Sequence, residues 1–108
     1  MTVTAEQIAA WQAEHKHITV REVQAPDGTR ETFVFRFPSR GQCKMWRAAT
    51  NAQDEEAQEN LVIGMCVSHQ PEEFKAYLDK PGNGLAADVL AKALTPWIIP
   101  KVNEQGKG

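Results

Sequence analysis

Cys66 and His69 stand three residues apart, a spacing that puts two side chains on one helical face, and a thiol beside an imidazole is the start of a nucleophile–base pair. That chemistry needs the helix to continue past Ser68, and Ser68-His69-Gln70-Pro71 breaks it. A small core thiol and a loop histidine account for the same two residues. His15 and His17, two apart, suit one face of a strand. No CxxC or HxxxH accompanies them, so no metal is expected. Asp54, Glu55, Glu56 and Glu59, and again Glu72 and Glu73 after Pro71, fall at helix starts, where the helix dipole and solvent explain carboxylates without acid–base work. Pro81-Gly82-Asn83-Gly84 lacks the spacing of a phosphate-binding loop and reads as a turn. The row Arg40, Lys44 and Arg47, with Arg36 nearby, forms one stripe that could meet phosphates or an acidic partner. Without interleaved aromatics it reads equally as a solvated face. These residues point to no catalytic group, no cofactor and no metal.

The chain has 108 residues, the size of one domain at about 100–200 residues per domain. Its hydrophobic share of 42% supports one core, and 12 Lys+Arg against 14 Asp+Glu leave a net charge of -2. A protein that coats nucleic acid would be basic. No apolar run approaches the ~20 residues that cross a bilayer, and Met1 to Ala10 has neither a basic start nor a long apolar stretch. A soluble intracellular protein without a membrane partner is expected, with Cys43 and Cys66 as reduced thiols.

Hydropathy periods place the elements. Thr4-Ala5-Glu6-Gln7 has the form of a capping box, so a helix starts near Ala5, with Ile8, Trp11 and His15 on one stripe. From His17 the period is two: Ile18 and Val20 point one way, Thr19 and Arg21 the other, with an irregularity expected near Glu22. Pro26-Asp27-Gly28 turns the chain, and Thr32 to Phe37 alternates, with Phe33, Phe35 and Phe37 on one face and Val34 and Arg36 on the other. Ser39 and Gln42 cap a helix from Arg40 to about Thr50, with Cys43, Trp46 and Ala49 or Thr50 on one face. A third helix, opened by Asp54, runs to about Val67 and is expected to be the most buried. Pro71 opens a fourth, carrying Phe74, Tyr77 and Leu78. The last spans about Leu85 to Leu94, buries Leu85, Val89, Leu90, Ala93 and Leu94, and ends at Pro96 before the apolar Trp97-Ile98-Ile99. The fold class is α+β: an N-terminal helix, a two-stranded antiparallel hairpin, then a cluster of three to four helices. Residues 1–99 are expected to form a single globular domain, and residues 100–108 a disordered tail.

The order of these elements from about Thr29 to Leu94 resembles the small tail assembly chaperones of long-tailed bacteriophages and prophages. The resemblance is carried by Phe35-Arg36-Phe37-Pro38-Ser39, a following helix with a central Trp46, an acidic link, the apolar helix Asn60 to Val67 leading to Pro71, and a helix closed by Pro81-Gly82. It implies a non-enzymatic role in the host bacterial cytoplasm. Such a chaperone coats the long helical tape measure protein and keeps it soluble until the major tail tube protein polymerises around it. The resemblance makes candidates of surfaces richer in apolar side chains than a small core can hide: Phe33, Phe35 and Phe37, then Trp46, then Trp97 and Ile98, with Arg40 at the start of the basic row. It also draws attention to Gln105-Gly106-Lys107, which a slippery heptanucleotide can encode where such genes frameshift to make a longer form. Two other readings stay open: a ring-forming head–tail connector or tail terminator, and a nucleic-acid-binding regulator using Arg36, Arg40, Lys44 and Arg47.

Overall fold

The computed structural model describes residues 3–100 and Val102. Its architecture is α+β, an N-terminal helix and a hairpin followed by four helices. Helix α1 (Ala5–His15) begins with the expected capping box: Thr4 Oγ1 accepts the Gln7 N–H and Gln7 Oε1 accepts the Thr4 N–H. It lies on β1 and buries none of its residues.

Strands β1 (Ile18–Gln24) and β2 (Arg30–Arg36) pair antiparallel in an unbroken register from Ile18 opposite Arg36 to Gln24 opposite Arg30. The irregularity expected near Glu22 is therefore absent: Glu22 faces Thr32 in regular pairing, and Val23 keeps its alternation and is buried. The turn closes as Gly28 donates to the Ala25 carbonyl and the Asp27 carboxylate accepts both the Thr29 N–H and hydroxyl. Gly28 supplies the φ of 90° that this turn requires.

The centre of β2 is enclosed on both faces. Phe33 and Phe35 are fully buried, and Phe33 sits 4.8 Å from the Phe74 ring and edge-on to Tyr77 at 5.2 Å. Val34, on the opposite face, is equally buried. A third segment also occupies the free edge of β2. Val67 donates its N–H to the Val34 carbonyl at 2.8 Å, the Val34 N–H donates to Ser68 Oγ at 2.9 Å, and Cys66 bridges Phe35. Because Cys66 to Ser68 must extend for this pairing, α3 (Glu55–Met65) stops short of Val67.

Helix α2 (Arg40–Ala52) is capped by Ser39 and Gln42, and Arg36 ties it to its neighbours. The Arg36 guanidinium donates to Gln42 Oε1, to the Phe37 carbonyl and to the Gly64 carbonyl at the end of α3. Helix α4 (Pro71–Asp79) buries Phe74, Tyr77 and Leu78 as its spacing predicts. Helix α5 (Ala86–Ile98) differs from expectation: it runs through Pro96 and buries the row Ala86, Ala87, Leu90, Leu94 and Ile98. Leu85 and Val89 form a competing row that loses, and are 71% and 57% exposed. Pro96 removes one N–H, but the last turn still closes as Ile99 donates to the Thr95 carbonyl at 3.0 Å. Apart from Pro100 and Val102, the expected disordered tail and the Gln105-Gly106-Lys107 stretch lie outside the described residues.

Ser68→Ala leaves the Val34 N–H buried without its acceptor, so it should cost about 1–3 kcal/mol in chemical denaturation. Ser39→Ala, which removes an exposed cap, should cost about 0.5–2 kcal/mol in the same assay.

Candidate functional site

Helix α3 is the support on which both α2 and α5 rest, and the space between those two helices is open. The stack of Phe37 on Trp97, with centroids 4.1 Å apart and planes 16° apart, fixes the arrangement. It brings the C-terminal end of α5 to the end of β2 where α2 begins, so α2 and α5 run in opposite directions along the opening. Between them lies a groove of about 510 Å³. Cys43, Trp46, Arg47 and Thr50 line it from α2, and Asp88, Ala91, Thr95 and Ile98 from α5, with Gln58 of α3 between them. Both sets follow the spacing of a single helical face.

The walls are more apolar than their residue names suggest. Thr50 Oγ1 donates to the Trp46 carbonyl and Thr95 Oγ1 to the Ala91 carbonyl, each at 2.8 Å, so both hydroxyls bond within their own helix. Trp46 is 5% exposed and Ile98 9%, which makes them the floor, while Ile99 at the rim is 51% exposed. Arg47 and Lys92 supply positive charge from α2 and α5, and Glu55 and Asp88 negative charge where α2 ends and α5 begins. The groove is an apolar trough with a rim of both signs.

The candidate residues separate into three groups. Phe33 and Phe35 belong to the core and offer no surface, because α4 and His69 cover that face of the hairpin. Phe37 is 43% exposed, half-buried Trp97 stacks on it, and His17 lies 5.2 Å from its ring, so these three form an aromatic cluster at the closed end of the molecule. Trp46 and Ile98 line the groove, and Arg40 is exposed at the start of α2. Helical spacing puts Thr50 on the face of Cys43 and Trp46, whereas it did not single out Ala91 and Thr95. The only signal for these two was their shared i, i+3, i+4 phase with Ile98.

Cys66 and His69 do meet, with Ser68 between them. Ser68 Oγ lies 2.8 Å from His69 Nδ1 and 3.4 Å from Cys66 Sγ, whereas Sγ and Nδ1 are 4.0 Å apart. His69 Nε2 faces the Glu31 carboxylate at 3.6 Å, too long for a hydrogen bond, and is buried without a hydrogen-bond partner. Nδ1 and the Ser68 hydroxyl share the hydrogen bond on the other side of the ring. Burial raises the Cys66 thiol above its ordinary pKa, outweighing the opposing effect of its hydrogen bond with Ser68. A thiol so placed stays protonated, the reverse of what a nucleophile requires. The cluster serves to fasten the Cys66–His69 segment to β2.

Arg36 is engaged in three hydrogen bonds, so the basic row reduces to exposed Arg40, Lys44 and Arg47. His15 pairs with Glu14 at 3.6 Å and does not converge with His17. No group of three His, Cys, Asp or Glu among the described residues could hold a metal ion, and no helix among them is long and apolar enough to cross a membrane. No protein family, curated protein or solved structure matches the chain.

Burial also raises the Tyr77 hydroxyl, with the Glu31 and Asp27 charges adding to it. Both Cys66 and Tyr77 are favoured neutral in the fold, so their contribution is whole below the unfolded-state values of about 8.5 and 10 and is lost as pH rises past them. The denaturation midpoint should fall across that range, and Cys66→Ala with Tyr77→Phe should flatten the fall.

Proposed function

We propose that this chain is a tail assembly chaperone of a phage or prophage, and that it masks amphipathic helical segments of the tape measure protein in the α2–α5 groove. The observation that carries the reading is the groove itself: two antiparallel helices resting on a third, with the place of a fourth left open. An amphipathic helix fills such a trough by inserting an i, i+3, i+4, i+7 stripe, as helix-in-groove recognition does elsewhere. A long tape measure presents such stripes repeatedly, and each would aggregate if left exposed. Copies along one long partner gain through number what each lacks in affinity, and each remains displaceable when tube subunits arrive.

The rim supports the same reading. Arg47 and Lys92 suit acidic residues flanking the inserted stripe, and Glu55 and Asp88 suit basic residues at one end. Charges of both signs set register on a helix, whereas a phosphate backbone requires one sign. Arg36, the fourth member of the nucleic-acid reading, is bound to its own fold.

Co-expression with the tape measure protein encoded alongside it should yield a soluble complex with many copies of this chain. Thr95→Glu and Ile99→Glu each put a charge into the groove at positions outside the core. Each should weaken the complex at least tenfold, about 1.4 kcal/mol, with the fold unchanged by circular dichroism. An insoluble tape measure with the unaltered chain overturns the proposal.

A further inference from the structure

Helix α1 is the only helix among the described residues that buries no side chain. Its stripe of Ile8 and Trp11 is half-buried against β1. Its junction with β1 is strained. Lys16 has φ 65° and ψ -47°, outside the ordinary left-handed well, and His17 donates its N–H to the His15 carbonyl at 2.7 Å in a tight three-residue turn of the rarer hand. A poorly buried helix on a strained hinge is the form of an element that exchanges between copies.

The groove fits that helix in length, chemistry and charge. The 11 residues of α1 span about 17 Å, and the groove wall from Asp88 to Ile99 spans about 18 Å at the same rise. Ile8 and Trp11 match the apolar trough. Glu14 flanks their stripe with a side chain 70% exposed, and the facing groove carries Arg47 and Lys92. The root of α1 is held where His17 lies against Phe37, with the Phe37–Trp97 stack between it and its own groove. A hinge of two residues gives too little slack to cross that stack. The occupant that fits is the arm of another molecule.

We infer that α1 is an exchangeable arm that pivots at Lys16 and docks its Ile8–Trp11 stripe in the α2–α5 groove of a second copy of this chain. Self-association then covers the groove until a helical partner displaces the arm. The inference shares the groove with the function proposed above but needs no tape measure, so either can fail alone.

Cys43 in the groove wall provides the test. In the full-length chain carrying Trp11→Cys, mild oxidation should form a disulfide between copies at least tenfold faster than in the unaltered chain. The product should vanish with Cys43→Ser and persist with Cys66→Ser. Glu14→Cys, on the exposed flank of the arm, gives the same readout if Trp11→Cys impairs folding. In sedimentation the unaltered chain should weigh two or more copies and Glu14→Lys should weigh one. Mixing Glu14→Lys with a chain carrying Arg47→Glu and Lys92→Glu should restore association. A disulfide formed within one chain, no cross-link above the unaltered chain, or a monomer at every concentration overturns the inference.

Discussion

The rest of the structure depends on the enclosure of β2. A two-stranded ribbon has too little hydrogen bonding and too little area to stand alone, so its stability must come from what covers it. Here Phe33 is covered by the aromatic face of α4 and by His69, Phe35 is buried beside it, and the Val34 amide is held on the free edge by Val67 and Ser68. That one contact sets several others. It ends α3 at Met65, places Pro71 to start α4, and leaves the Cys66–Ser68–His69 seam buried with its polar atoms bonded to one another. Arg36 extends the same fastening to the first turn of α2 and the last of α3.

The groove follows from that framework. Once α3 is fixed by its own end, α2 is fixed by Arg36 and Ser39, and α5 by the Phe37–Trp97 stack, the two outer helices lie on α3 without filling the space between them. The Phe37–Trp97 stack ties the end of α5 to the end of β2, and neither ring lines the groove. His69, by contrast, is a core histidine whose Nδ1 is bonded to Ser68 Oγ, while its buried Nε2 faces the Glu31 carboxylate at 3.6 Å without a hydrogen bond.

Local chemistry was legible where one residue and its near neighbours decide the outcome. The capping boxes at Thr4 and Ser39, the turn at Asp27-Gly28 and the helix start at Pro71 all follow from short-range rules, whereas Phe33 and Phe35, expected among the partner-binding surfaces, are core. What depended on distant segments was not legible. Alternation puts Val34 on the face opposite the phenylalanines, and cannot foresee that this face is also enclosed there or that a segment 33 residues further on pairs with the free edge of β2. In α5 two rows of apolar residues compete at equal spacing, and the longer row, ending at Ile98, wins only because α3 lies beneath it. Pro96 did not stop that helix because a single missing N–H in the last turn costs less than losing the burial of Ile98. The groove itself was invisible to sequence reading for a related reason: Trp46 and Ile98 look like ordinary core residues, and only the gap between their helices makes them a floor.

The central claim is that the α2–α5 groove receives an amphipathic helix. The most direct measurement is an amide chemical-shift titration of the isotope-labelled chain with a helical peptide taken from the tape measure protein. Shifts concentrated at Cys43, Arg47, Thr50, Ala91, Thr95 and Ile99, saturating with peptide concentration, are the predicted result. Shifts confined to β1 and the hairpin turn, or none at any peptide concentration, would contradict the account.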